Sequence, residues 1–346
     1  MTREARLAAC AKLNLDLRVL HKRPDGYHEL RTVFQTISLA DRIDVAFTPA
    51  RSTAISLESE ADIPDNLILR AAELVMDAAK ATGKVRFRLT KRIPLGGGLG
   101  GGSTDAAAVL LALPVLAGKV IPLGELAGLA AQLGSDVPFF LEGGTALGLG
   151  RGEELYPLPD ARLGPLLLLA PGLHVSTAEA YKALGRGLTF NGLSHSINSF
   201  QSFVWSLAGT GRSRPQCGPA NVGGPLRCAG DDLKDEGLSG RDPRALGEND
   251  FEAAVFDRHP QLRALKRKLL RLGARPALMT GSGSCLFGIF ANSNARDEAS
   301  RHWPGEAALK ASPVSRARYQ SMWRRQLGAH ITGTEWPPRS RYAPLR

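Results

Sequence analysis

From Ala11 to Val19 apolar and polar residues alternate without a break: Ala11, Leu13, Leu15, Leu17 and Val19 against Lys12, Asn14, Asp16 and Arg18. A period of two marks a half-buried strand and sets Lys12 and Asn14 side by side on its polar face. A Pro-Asp-Gly turn leads from there into "YHELRTVFQTISL", a second strand. Residues 42–47 and 85–89 alternate as strands too, while 66–79 carries Leu67, Leu74 and Val75 at helical spacing. Further helices are expected over 104–113 and over 123–133, the second stopped by Gly134. "TALGLGRGEEL" reads as one strand and Leu166–Leu169 as a buried one, with a helix starting at Ser176 or Thr177. Asn249 with Glu252 three residues on has the form of a capping box before a helix over 251–272. "ALMTGSGSCLFGIF" is a strand, a glycine turn and a strand, and beyond Asn292 the pattern fades.

This order of elements is α+β. It divides into residues 1–157, residues 158–295 with an insertion over about 208–247, and a basic, weakly patterned tail over 296–346. The insertion is assigned because Gly, Pro, Arg, Asp and Ser follow one another there without periodicity, and ordered loops of that length are uncommon.

Composition narrows the class. The 346 residues are 43% hydrophobic and 22% charged, ordinary for a soluble globular chain. No apolar run approaches the length of a membrane span, and the first residues lack the core of a secretory signal, so a cytoplasmic protein is expected. Cys10, Cys217, Cys228 and Cys285 form neither a CxxC pair nor a zinc pattern. The net charge of +11 invites a nucleic-acid reading. Much of the excess lies in the tail, however, at Arg316, Arg318, Arg324, Arg325, Arg339, Arg341 and Arg346, and no nucleic-acid-binding signature accompanies it.

Six of the eight residues from Gly96 to Ser103 are glycine, and an alanine-rich helix follows. Successive glycine amides form a concavity for anions, and Ser103, Thr104 and Asp105 are cap residues, so a helix N-terminus is aimed at the same spot. Polyphosphate is the natural occupant. The P-loop form requires a lysine before the hydroxyl residue, which is Gly102 here. The dinucleotide pattern fits Gly96, Gly98 and Gly101 but lacks the acid about 20 residues on, and the protein-kinase signatures are missing. Asp136, in "LGSDVPFF" after a helix-ending glycine, is placed either to face a cleft or to close a turn.

"PLGGGLGGGSTDAAA" resembles the second motif of the GHMP kinases, the family of galactokinase, homoserine kinase, mevalonate kinase and phosphomevalonate kinase. "AKLNLDLRVLHKRPDGYHELRTVFQTISLAD", "GSDVPFFLEGGTALGLGRGE" and "MTGSGSCLFGIF" extend the likeness, and "RPDGYHE" points to the branch whose acceptor alcohol is carried on cytidine diphosphate. The resemblance implies a two-domain α+β fold with the active site in the cleft between domains. It implies ATP held by Pro94, Leu95, Gly96, Gly97, Gly98, Leu99, Gly100, Gly101, Gly102, Ser103 and Thr104, with Mg²⁺ arriving as the nucleotide complex. Asp136 becomes the base and Lys12 its neighbour, an ammonium that favours the ionised carboxylate. Asn14, Tyr27, His28, Thr177 and Tyr181 become substrate contacts, Tyr27 and Tyr181 as two plates for the cytosine. Gly281, Ser282, Gly283 and Ser284 become a turn near the phosphates. The resemblance covers about residues 8–205 and 248–291, and leaves the insertion and the tail without a role. The readings set against it are another small-molecule kinase of the family, a nucleic-acid-binding protein and a nicotinamide-dependent oxidoreductase.

Overall fold

The computed structural model describes residues 1–61, 63–173, 175–184, 247–303 and 308–344. Apart from residue 247, the insertion expected over 208–247 lies outside them, as do Cys217 and Cys228.

A long hairpin of β1 (Arg3–Lys22) and β2 (His28–Pro49) is the backbone of the first sheet. Along its other edge β2 pairs at one end with β4 (Gly83–Thr90), which carries the parallel strand β3 (Ala54–Ser59), and at the other with β5 (Thr145–Leu149). The expected single strand over "TALGLGRGEEL" is a hairpin, because Gly150 and Gly152 take positive φ and turn the chain into β6 (Glu154–Pro157). On one face of this sheet lie α1 (Leu67–Ala78), capped by the Asn66 side chain, α2 (Gly101–Ala117) and α3 (Leu123–Leu133). The alanine run of α2 is buried throughout, small side chains letting the helix pass between its neighbours.

The second sheet is β10-β7-β9-β8, built from β7 (Leu166–Leu169), β8 (Ala277–Met279), β9 (Leu286–Ile289) and β10 (Ala308–Ala311). It packs with α4 (Thr177–Leu184), α5 (Phe251–Arg258), α6 (Pro260–Arg271) and α7 (Ser293–Ser300). The helix expected over 251–272 is broken at His259, since Pro260 cannot continue the ladder. Nor does a capping box form: Asn249 Oδ1 accepts from the Phe251 amide, but Glu252 turns away to Lys266 and the Met279 amide.

The alternation in β1 is real, but neither face is open. Ala11, Leu13 and Leu15 pack with Leu166, Leu168 and Phe287 of the second sheet, and on the polar face Lys12 and Asn14 are each 3% exposed. The outer edge of β1 is closed as well. Its amides donate to Leu99 O from Lys12, to Thr280 Oγ1 from Asn14 and to Glu248 O from Leu17.

The tail is not an appendage. After β10 the chain crosses to the first sheet, where the Ser38 amide donates to Ser312 O and the Val314 amide to Thr36 O. Helix α8 (Arg316–Gln326) then sends Tyr319 and Trp323, each 1% exposed, into the core of the first sheet. β11 (Ile331–Thr332) and β12 (Arg339–Ser340) finish the chain. Much of its arginine has structural work: Arg316 donates to Leu158 O and Thr145 O, Arg324 to Thr334 O and Arg341 to Ala329 O. The segment escaped the sequence pattern because only a narrow stripe of this charged helix is apolar. Replacing a fully buried aromatic leaves a cavity, so Trp323→Ala will lower unfolding free energy by about 3–5 kcal/mol in urea denaturation. An Arg325→Ala control on the same helix will stay within about 0.5 kcal/mol.

Candidate active site

The three segments on the edge of β1 meet over Lys12 and Asn14. Lys12 Nζ lies 3.2 Å from Asp136 Oδ2 and donates to Asn14 Oδ1 at 2.6 Å. Asn14 is held from both sides: its amide nitrogen donates to Thr32 Oγ1, and its oxygen also accepts from the Gly281 amide at 3.0 Å. It thus orients Lys12 and ties β1 to the second sheet, a role the sequence did not assign. Asp136 stands between α3 and a single 3₁₀ turn, Pro138–Leu141, with its side chain one-third exposed. The tail braces this turn from behind, Tyr319 Oη donating to Phe140 O and Trp336 Nε1 to Leu141 O.

A cavity of about 820 Å³ opens in front of the pair. Of the expected contacts, Lys12, Asn14, Tyr27, His28, Asp136, Thr177, Tyr181, Gly281 and Ser282 line it, and Thr177 and Ser282 share a hydrogen bond of 2.9 Å. Gly283 and Ser284 do not; the Ser284 hydroxyl donates to Leu173 O and is buried. The two aromatic plates also differ from expectation. Tyr27 is exposed, while Tyr181 is stacked on His28 with centroids 4.7 Å apart and meets Phe251 edge-on. Burial, and secondarily the charge of Asp136, push the Tyr181 phenol up to about 12, so it remains a donor. Burial and the nearby Lys22 lower His28, keeping its ring neutral. Sequence reasoning missed the cations Lys22, Arg151 and Lys182 on the same cavity, where Asp136 is the one lining acid among the described residues.

The glycine loop has two jobs. Gly98 and Gly100 reach the cavity, and Gly96, Gly98 and Gly100 hold φ of +65°, +76° and +71°. Close packing makes the second demand: a Cβ on Gly98 would sit 2.2 Å from Thr280 O and one on Gly97 2.3 Å from Cys285 Sγ. Helix α2 starts at Gly101 with Gly100 as its cap, so Ser103, Thr104 and Asp105 are not cap residues. The first-turn amides of Gly101, Gly102 and Ser103 have no carbonyl of their own helix to bond and stand free for an anion. Leu95, Gly96 and Gly102 are exposed and outside the cavity lining, Pro94, Gly101 and Ser103 are half-buried, and Leu99 and Thr104 are buried.

Beneath that first turn lies a charged cluster the sequence did not announce. Lys91 Nζ donates to Asp41 and, at 2.9 Å, to Asp105, while Asp41 Oδ1 accepts from the Arg92 and Ile93 amides. Asp41 and Asp105 are 1% and 2% exposed. One ammonium thus serves two carboxylates. Burial raises the Asp105 carboxyl to about 7 against the pull of Lys91, and Lys91, although burial opposes it, is raised by Asp105 and Asp41. An acid raised on folding gives stability that is complete below its unfolded value and lost as pH climbs through about 7. Asp105→Asn, neutral throughout, will therefore gain stability relative to the parent between pH 5 and pH 8, read as the difference in thermal midpoints at the two pH values.

Among the described residues no three His, Cys, Asp or Glu side chains converge as a metal cage, and no helix is long and apolar enough to cross a membrane. Cys10 and Cys285 are buried free thiols, both pushed up to about 12 by burial.

Comparison with known proteins adds to this geometry. The model of the GHMP kinases N-terminal domain matches residues 66–144 and that of the GHMP kinases C-terminal domain residues 232–308. A 4-diphosphocytidyl-2-C-methyl-D-erythritol kinase from Solibacter usitatus is 51% identical over 99% of this chain and 99% of its own. One from a Synechococcus strain is 40% identical over 86% of this chain and 90% of its own. A crystal structure of 4-(cytidine 5'-diphospho)-2C-methyl-D-erythritol kinase matches with a TM-score of 0.67 at 35% identity, covering 89% of this chain and 98% of its own. A homoserine kinase from Cytophaga hutchinsonii reaches a TM-score of 0.63 at 16% identity over 90% of this chain and 94% of its own, a likeness of fold alone.

Proposed function

Because the chain belongs to the 4-diphosphocytidyl-2-C-methyl-D-erythritol kinases, a branch of the GHMP kinases, we infer its reaction from the site just described. It is an ATP-dependent kinase that phosphorylates the 2-hydroxyl of 4-diphosphocytidyl-2-C-methyl-D-erythritol, in the non-mevalonate route to isoprenoid precursors. The observation that carries the chemistry is the buried Lys12 held 3.2 Å from the cavity-facing Asp136.

In phosphoryl transfer to an alcohol the protein positions the reactants and stabilises charge. Asp136 accepts the hydroxyl proton as the acceptor oxygen attacks the γ-phosphorus, and the bond to the β-phosphate oxygen breaks. Lys12, fixed by Asn14, keeps the carboxylate compensated and lowers the energy of the negative charge developing on the attacking oxygen. The free amides at the start of α2 hold the phosphates, and the turn at Gly281 and Ser282 closes over the loop. Mg²⁺ would be held on phosphate oxygens and water, with Asp136 the one carboxylate at hand among the described residues, and would neutralise phosphate charge. That donor set fits a cation brought by the nucleotide.

Cytosine lies on the exposed ring of Tyr27, facing the His28–Tyr181 stack. The sandwich implied by the resemblance is thereby altered, since His28 already covers one face of Tyr181. A cytoplasmic place of action accords with buried, unpaired Cys10 and Cys285.

With ATP and a panel of alcohols, ³¹P NMR will find the new phosphate on the 2-position of the cytidyl substrate and none on galactose, homoserine or mevalonate. Phosphorylation of one of those in preference would move the chain to another branch. Asp136→Asn will lower kcat by about 100- to 10,000-fold, the range of positioned base catalysis, while ATP still binds in equilibrium titration. A loss under about 3-fold would remove Asp136 from the role of base, being less than such a group supplies.

A further inference from the structure

Arg151 stands at the tip of the hairpin between β5 and β6 and lines the substrate cavity. Three observations fix how it is presented. Its guanidinium carbon is 4.9 Å from the centre of the Tyr27 ring, within cation–π range. Its Nε donates to Glu153 Oε1 at 3.1 Å and its amide to Glu153 Oε2 at 2.7 Å, so the base of the guanidinium is anchored within its own turn. That turn is in turn tied to the Tyr27 loop by one residue, Glu29, which accepts from the Gly150 amide with one oxygen and from Arg23 with the other. Arg23 also receives the loop by donating its amide to Tyr27 O, and it pairs with Asp25.

The consequence is an oriented fork. With Nε spent on Glu153, the two terminal nitrogens carry no hydrogen bond to any described residue, and they stand at a cavity where, among the described residues, the cations Lys12, Lys22, Arg151 and Lys182 outnumber the one acid. A planar pair of donors matches two oxygens of a phosphate, which lysine meets only as a point charge. The acids beside Arg151, Glu153 and Asp25, are held by Arg151 itself and by Arg23.

We propose that Arg151 determines specificity for the nucleotide carrier: held against the Tyr27 ring, it binds the diphosphate that joins the nucleoside to the acceptor alcohol. The assignment rests on the kinase reading above and deepens it. A substrate that brings its own diphosphate needs a second anion site besides the one for ATP, and the cations lining the cavity can supply it.

The test uses the full-length protein without ATP and titrates CDP, CMP and cytidine by isothermal calorimetry. The parent will bind CDP more tightly than cytidine. Arg151→Gln will weaken CDP by about 10- to 100-fold, the loss of a charge-assisted hydrogen-bonded contact, and will leave cytidine within about 2-fold, since no base contact is removed. Arg151→Lys, retaining charge without the fork, will fall between them. In turnover, KM for the cytidyl substrate will rise in Arg151→Gln while KM for ATP stays put, which a general loosening of the fold would not produce. An unchanged preference for CDP over cytidine in Arg151→Gln overturns the proposal. So does an equal loss on both ligands, which would leave Arg151 only as a backing for Tyr27. Failure of the parent to bind any of the three would instead remove the cytidyl-kinase reading, and this assignment with it.

Discussion

A strand edge turned toward the interior must find partners for its amides, and the outer edge of β1 is such an edge. It borrows them from three distant stretches of chain: the glycine loop at Leu99, the turn at Thr280 and the return of the chain at Glu248. The same hydrogen bonds that satisfy the strand therefore bring the glycine loop and the Thr280 turn together over Lys12 and Asn14. Site and fold share one set of bonds. The absence of a side chain at Gly97 and Gly98 follows from this convergence as much as from any ligand, because Cys285 and Thr280 occupy the room a Cβ would need.

A buried ammonium is tolerated only with compensation. Lys12 has it in Asn14 and Asp136, and its stem lies beside Phe34 with Nζ 5.2 Å from the ring centre. Asn14 bonds to Thr32 of the first sheet and to the Gly281 amide beside the second, so the orientation of Lys12 depends on the two halves being docked. Under α2 the arrangement repeats with two carboxylates, Lys91 between Asp41 and Asp105, which joins the strand entering the glycine loop to the helix leaving it. Lys12 flanks the loop at Gly100 and Lys91 at Gly101.

Much of this was legible in the sequence where one residue's neighbours dictate its place. The alternation in β1 put Lys12 and Asn14 together, and Gly134 ended α3 just ahead of Asp136. Legibility failed where distant partners decide. Periodicity reports one covered face and cannot say that the second face of β1 will be covered too. Glycines resist helix, so α2 was expected to begin at Thr104, yet the carbonyl of Gly100 already bonds the Thr104 amide. The charges of α8 hid Tyr319 and Trp323, and Asp105 passed for a cap because its partner Lys91 is on another element. Tyr181 was assigned to the base by family likeness; only coordinates could place His28 against it.

The path of the chain after Ser312 has a bearing on how the molecule comes to be made. The first sheet contains the earliest residues, but its core includes Val314, Tyr319, Trp323 and Leu327, and His330 reaches back to the carbonyl of Glu4. During synthesis, then, the hairpin of β1 and β2 waits through the whole second half before the helix that seals it emerges from the ribosome. A sheet with an unpaired edge and exposed apolar face is prone to misassociation, and the turn beside Asp136 gains the hydrogen bonds of Tyr319 and Trp336 only after this late segment has docked.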